Sequence, residues 1–198
     1  LAGNNEAVIT EKNSTGIDQL AGVIAKLRTD PFDRRMIVSA WNPEQIEQMA
    51  LPPCHWSFQF HCDIFEQKHY NTIIENDNNV MTGDKPKYIL NCLLNMRSAD
   101  MALGVPFNIA SYAILTHMVA KCVGMRPGRL VIIMADCHVY DTHIAGIKEQ
   151  ITRIPGQFPT IQFTDVDDGC DIDSFKSADQ IVIENYQPQS AIKYPMAV

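Results

Sequence analysis

Nothing in this sequence marks it for a membrane, a repeat architecture or a nucleic-acid surface. No apolar run is long enough to span a bilayer, and the first residues do not read as a signal peptide. Internal repeats are absent, and so is any composition shift that would mark a second domain. Basic charge is scarce: 16 Lys and Arg stand against 23 Asp and Glu, a formal net charge of -7. That balance disfavours general binding to nucleic acid or membrane surfaces. A local arginine cluster on an acidic protein still binds an anion. The six cysteines form no CxxC and no regular spacing, which points to free thiols in a reducing compartment, most simply the cytoplasm. What is present is apolar content of 46% in 198 residues, enough for one domain with a sizeable core.

The periodicities place the elements. Ile17, Leu20, Ile24 and Leu27 recur at helical spacing, predicting a helix that Asp30-Pro31 ends. Residues 34–41 read as a strand and 43–49 as a short helix. Strands are expected at 58–62 and 88–95, with a polar surface insertion, 63–87, between them. An apolar helix is expected over 108–123, closed by Gly124, with Asn108 as its N-cap. The apolar run 130–135 reads as a buried strand. A helix over 141–153, late strands at 160–163 and 180–184, and a short helix near 173–175 complete the chain. Irregular interleaving of strands and helices makes the fold class α+β.

Four stretches carry chemistry. Met49-Ala50-Leu51-Pro52-Pro53-Cys54-His55 puts a thiol on a stiff, proline-held loop before a strand. Such a thiol is either a nucleophile or a small buried hydrophobe. Arg34-Arg35 is either a solvated pair at a sheet edge or an anion site, for which the guanidinium fork suits phosphate. Adjacent strand residues face opposite ways, so one site on the same subunit would rarely use both. Arg97 and Ser98 follow a strand and could cap an anion together; a guanidinium near a thiol also favours the thiolate. The bland alternative is a surface turn with an Arg97–Asp100 pair. Asn108 offers one donor and one acceptor face, the pattern that reads N3–H and O4 of a uracil. His138 and Tyr140 share a face at a strand end, and His138 with His143 lacks a third ligand at metal-binding spacing.

Taken in order, these segments resemble the thymidylate synthase family. The matching runs are Asp30-Pro31…Arg34-Arg35…Ala40-Trp41-Asn42-Pro43, the Cys54 loop, and Arg97-Ser98…Asp100…Leu103-Gly104-Val105-Pro106-Phe107-Asn108. They continue with Asp136…His138…Tyr140…His143 and Ile192-Lys193…Pro195-Met196-Ala197-Val198. The resemblance covers about residues 17–198.

It implies a single catalytic domain, 1–198, built on a large mixed β-sheet packed by helices, with a sheet face used for dimerisation. It implies conversion of dUMP to dTMP with 5,10-methylenetetrahydrofolate as co-substrate and no metal. Cys54 would add to C6 of the uracil, with His55 in the polar network behind it. Arg97 and Ser98 would hold the phosphate, joined by Arg34 and Arg35 from the partner of a homodimer. Asn108 would read the pyrimidine, while His138 and Tyr140 would hold the ribose. Asp100, Leu103, Gly104 and Phe107 would meet the folate, and the tail ending in Val198 would close over it.

The sequence departs from the family pattern at named places. The family's N-terminal portion, with another phosphate-binding arginine, a catalytic glutamate and a tryptophan, has no counterpart in these residues, so a fragment is expected. Met96 stands where the family has glutamine, and Ala135 where it has glycine. The alternatives are a dUMP hydroxymethylase of the same family and an inactive nucleotide- or RNA-binding homologue. For a cytosine substrate Asp would be expected at position 108, and Asn108 argues for uracil.

Overall fold

A computed structural model describes residues 16–65 and 87–196. Helix α1, Gln19–Thr29, opens the described chain. Asp18 caps it, its carboxylate accepting from Ala21 N at 2.9 Å. Val23, Ile24 and Leu27 are its buried stripe. Each such side chain contributes about 1.5–3 kcal/mol when removed from water.

Strand β1, Ile37–Ser39, pairs antiparallel with β2, His55–Ile64, which pairs antiparallel with β3, Tyr88–Asp100. Helix α2, Gly104–Val123, then carries the chain back to β4, Arg126–His138, which lies parallel to β3. The sheet is therefore mixed, in the order β1-β2-β3-β4. A crossover helix is the usual way to join parallel neighbours. Gly124 ends α2 in the left-handed conformation (φ 64°), and its N–H bonds back to the helix's last carbonyls. Helix α3 is Ile144–Gln150, and β5 (Thr160–Phe163) pairs antiparallel with β6 (Ile181–Glu184) in a separate ribbon.

One face of the four-stranded sheet is covered. Phe58 and Phe60 of β2, with Leu90, Cys92, Leu94 and Met96 of β3, pack with α1 and with Tyr112, Val119 and Cys122 of α2. Among the described residues no helix covers the opposite face. There Ile37 is 50% exposed, Val131 45% and Ile133 53%, around the half-buried Leu93.

The architecture bears out a mixed sheet packed by helices and corrects several details. Strands β2 and β3 run well beyond 58–62 and 88–95, so both reach the site. The 34–41 strand shrinks to three residues, because Arg34 and Arg35 lie in the turn before it. The 43–49 helix is one 3₁₀ turn, Ile46–Gln48, as is the element near 173–175, Ile172–Ser174. The 141–153 helix divides into a 3₁₀ turn, Asp141–His143, and α3. The run 130–135 is not a buried strand in this chain: β4 is the sheet's edge, and helices cover only one of its faces. Asn108 is not an N-cap, since α2 starts four residues earlier. The insertion at 63–87 lies almost wholly outside the described residues.

Candidate active site

The thiol of Cys54 sits where the Pro52-Pro53 loop meets the start of β2. Prolines leave carbonyls that no strand partner claims, and Arg97 of β3 takes them. Its Nε donates to Pro53 O at 3.1 Å and its Nη2 to Pro52 O at 2.7 Å. Nη2 also points at Cys54 Sγ, 3.8 Å away. The backbone repeats the tie, Arg97 N donating to Cys54 O at 2.8 Å. Loop and thiol are thus fixed to a central strand by charge-assisted bonds. Among the described residues Nη1 of Arg97 has no partner, which leaves one edge of the fork for an anion.

A bulge between His55 and Ser57 breaks the β2–β3 register and re-aims His55. Its Nδ1 lies 2.9 Å from the hydroxyl of Tyr112 on α2. Burial lowers the pKa of His55, so the ring is neutral at pH 7, and burial pushes the Tyr112 phenol up. This neutral pair forms one wall of a groove of about 290 Å³, lined also by Asn108, Ser111, Ile114, Leu115 and Met118. Asn108 is on the second turn of α2, where its amide belongs to the groove instead of capping a helix. Met96, on the strand beneath, is buried and stands opposite His55 in register.

A second cluster forms where β3 and β4 end together, with Asp100 opposite His138. The Asp100 carboxylate accepts from Ala102 N and Gly104 N, each at 3.1 Å, and so does the capping expected of Asn108. It also lies 3.7 Å from Nδ1 of His143, which is only 1% exposed. Nε2 of His143 meets Pro195 O at 2.7 Å, and its ring packs edge-on against Tyr140 and Tyr194. His138 stacks edge-on with Tyr140, its Nδ1 3.4 Å from Asp136 Oδ1 but without hydrogen-bond geometry. Among the described residues no group of three or more His, Cys, Asp or Glu could hold a metal.

The terminal segment is seated by shape as well as by His143. A Cβ on Gly146 would fall 2.5 Å from Tyr194 Cε1 and 2.9 Å from Ile192 Cγ2. Gly146→Ala should therefore unseat residues 192–195 at a cost of about 1–3 kcal/mol. Amide hydrogen exchange across residues 192–194 should be several-fold faster in the variant; equal exchange rates would contradict this seating.

The sequence profile of the family described as Thymidylate synthase matches residues 3–198. The chain belongs to the thymidylate synthase family. It is 49% identical to the thymidylate synthase of Saccharomyces cerevisiae over 183 residues, 92% of this chain and 55% of that one. It is 44% identical to that of Listeria monocytogenes over 189 residues, 94% of this chain and 52% of that one. A probable thymidylate synthase of Schizosaccharomyces pombe is 43% identical over 190 residues, 96% of this chain and 28% of the relative. The chain spans about half the length of the first two.

Within the thymidylate synthase fold the expected residues fall into three places. Cys54, His55, Arg97 and Asn108 gather around the β2 start and the groove, and Ser98 follows Arg97 on β3. Asp100, Leu103, Gly104, His138 and Tyr140 cluster where β3 and β4 end; Phe107, one turn into α2, is 70% exposed. Arg34 and Arg35 are elsewhere. Gln59 Nε2 donates to Arg34 O, and Phe60 N to Met36 O, so the pair lies beside the far part of β2. Both arginines are exposed, and among the described residues neither guanidinium has a partner. Val198 lies outside the described residues.

Sequence reasoning missed Tyr112 and gave His143 no role beyond a rejected metal site. Tyr112 sits within an apolar helical stripe and reads as core, which at 1% exposure it also is. A hydroxyl among core positions was the only signal available.

Proposed function

We propose that this protein converts dUMP to dTMP using 5,10-methylenetetrahydrofolate, through covalent addition of Cys54 to C6 of the uracil. The observation that carries the reading is the Cys54 thiol held under the Arg97 guanidinium, beside a groove that contains Asn108. C6 is a poor electrophile, so the reaction needs a fixed sulfur nucleophile and a partner for the charge that develops toward O4. The S–C6 bond forms as the C5=C6 electrons move toward O4, and C5 gains the nucleophilic character to take the one-carbon unit. Loss of the C5 proton then breaks the bond between the one-carbon unit and the folate nitrogen, leaving a methylene on C5, and hydride transfer from the freed folate to that methylene, with expulsion of the sulfur from C6, gives dTMP and dihydrofolate.

The residues fit both reactants. Arg97 has a free guanidinium edge for phosphate, with Ser98 beside it, and His138 and Tyr140 supply polar groups for the ribose. The carboxylate of Asp100, with Leu103 and Gly104, and the exposed Phe107 ring give the folate a polar edge and an apolar face. The tail that runs through Pro195 to Val198 closes over it, keeping water from the reactive carbon.

The working form is a homodimer made through the open sheet face. Sheets with parallel neighbours ordinarily have both faces covered, and here Ile37, Leu93, Val131 and Ile133 lie on the bare one. Arg34 O accepts from Gln59 Nε2 and Met36 O from Phe60 N, five and six residues along β2 from Cys54. At about 3.3 Å per residue that is roughly 15–20 Å, beyond the reach of a side chain. A second copy brings Arg34 and Arg35 to a phosphate. No helix among the described residues is long and apolar enough to cross a membrane, and the reactants are those of the cytoplasm.

Asn108→Asp tests pyrimidine reading. A carboxylate accepts from N3–H but has no donor for O4. With the full-length protein, kcat/KM for dUMP should fall roughly 10- to 100-fold, the effect of an unpaired polar contact. Unchanged kcat/KM would remove Asn108 from the site. A hydroxymethylated product from the unmodified protein would replace the proposed reduction with capture of the one-carbon unit by water.

A further inference from the structure

Away from this site, two cysteine sulfurs meet at the C-terminus of α2. Cys122, fully buried near the end of that helix, lies with its Sγ 3.4 Å from Sγ of Cys170, which is half-buried in the loop before the Ile172–Ser174 turn. Two thiols 48 residues apart do not meet by accident of a flexible loop, because the loop is held at Asp168, Gly169 and the Cys170 carbonyl. Gly169 N donates to Lys121 O at 3.0 Å, and Lys121 Nζ pairs with Asp168 at 2.7 Å. Arg28 of α1 bridges the two backbones, its Nη2 donating to Cys122 O at 3.2 Å, Gly169 O at 3.3 Å and Cys170 O at 2.6 Å. Neither sulfur takes part in the proposed reaction, and the remaining cysteines have no sulfur partner within reach of a disulfide.

We propose that Cys122 and Cys170 are a reversible thiol–disulfide site, closed by peroxide. Cys170 is the accessible sulfur and Cys122 the buried one, so their roles differ. The Cys170 thiolate attacks a peroxide oxygen, giving a sulfenic acid and hydroxide. The Cys122 sulfur then displaces hydroxide from that sulfenic sulfur, forming the S–S bond, and its proton leaves in water. Overall two thiols and one hydrogen peroxide give one disulfide and two waters. The sulfurs must close from 3.4 Å to the roughly 2.05 Å of a disulfide, a movement the half-buried Cys170 loop can make while α2 stays fixed. The bond ties the end of α2, whose other end carries Asn108, to the segment that joins β5 to β6.

Three measurements on the full-length protein decide the matter. After treatment with a small excess of hydrogen peroxide and alkylation of remaining thiols, a non-reduced digest should contain the Cys122–Cys170 linked peptide as the main disulfide. The thermal midpoint should rise by roughly 5 °C or more and return on adding dithiothreitol, because the cross-link closes a long loop. Cys170→Ser, with an unchanged circular dichroism spectrum, should lose both the linked peptide and the rise. Oxidation that stops at sulfinic acid on Cys170, disulfides that involve only Cys54 or Cys137, or the same midpoint rise in Cys170→Ser would each overturn the proposal.

Discussion

Cys54→Ser should reduce dTMP formation by roughly three orders of magnitude or more while leaving dUMP affinity within a few-fold. The asymmetry follows from how the loop is held. Arg97 grips the carbonyls of Pro52 and Pro53 as well as the sulfur, so replacing the thiol removes the longest of its contacts and keeps the other two. The free edge of the guanidinium stays in place for the phosphate. A serine hydroxyl is far less acidic than a thiol, so almost no nucleophile exists near pH 7. Steady-state turnover and equilibrium dUMP binding on the full-length variant check both halves. A serine variant that kept a tenth of the activity would mean that Cys54 is not the nucleophile.

The second large effect concerns the shared site. A protein carrying both Arg34→Ala and Arg35→Ala should lose roughly a hundred-fold or more in kcat/KM, since each guanidinium–phosphate contact contributes about 1.5–3 kcal/mol. Mixing it with an otherwise inactive Cys54→Ala protein should restore activity. Each heterodimer has one site with an intact Cys54 and arginines from the other copy. Random exchange at equal amounts makes half the dimers mixed, with one good site in two, so about a quarter of full activity is expected. No recovery after exchange is verified by native mass spectrometry would mean that each chain uses its own arginines. The strand geometry makes that hard to arrange.

Much of this was legible in the residues, and the exceptions have physical causes. The α1 stripe at Leu20, Ile24 and Leu27 was readable because one face of a short helix is buried and the other is not; Ile17, expected in the same stripe, precedes the helix and is 85% exposed. Asp30-Pro31 stopping α1 and Gly124 stopping α2 were readable because backbone restrictions act locally. The start of α2 was not. Asp100 caps it from the end of β3 through a carboxylate that reaches two N–H groups across the Met101–Leu103 turn. A capping rule written for the residue adjoining the helix chose Asn108 instead. The β4 run misled for a different reason. The run 130–135 is as apolar as a strand covered on both sides, yet among the described residues helices cover only one face of it. On the proposed dimer, the expectation of burial read an intermolecular property as an intramolecular one. The Arg34-Arg35 pair illustrates a related limit, because alternation along a strand has no force in the turn where the pair lies.

His143 shows what one-dimensional reading leaves out. Beside His138 in sequence it suggests a metal ligand without its third partner. In the fold it is almost wholly buried, between Asp100 on one side and the Pro195 carbonyl on the other. It thereby packs between the carboxylate that caps α2 and the segment at Pro195, bonded to the latter through Nε2. Only long-range packing, 43 residues from Asp100 and 52 from Pro195, creates that role.

The central claim is a sulfur–carbon bond between Cys54 and C6 of the nucleotide. It is tested most directly by incubating the full-length protein with 5-fluoro-dUMP and 5,10-methylenetetrahydrofolate and measuring intact and peptide masses under denaturing conditions. Fluorine replaces the C5 proton whose loss precedes release of the sulfur, so the adduct should accumulate. The account predicts a mass increase equal to nucleotide plus folate, located on the peptide that contains Cys54 and absent from Cys54→Ser. An unmodified Cys54 peptide in protein that is turning over dUMP would contradict it.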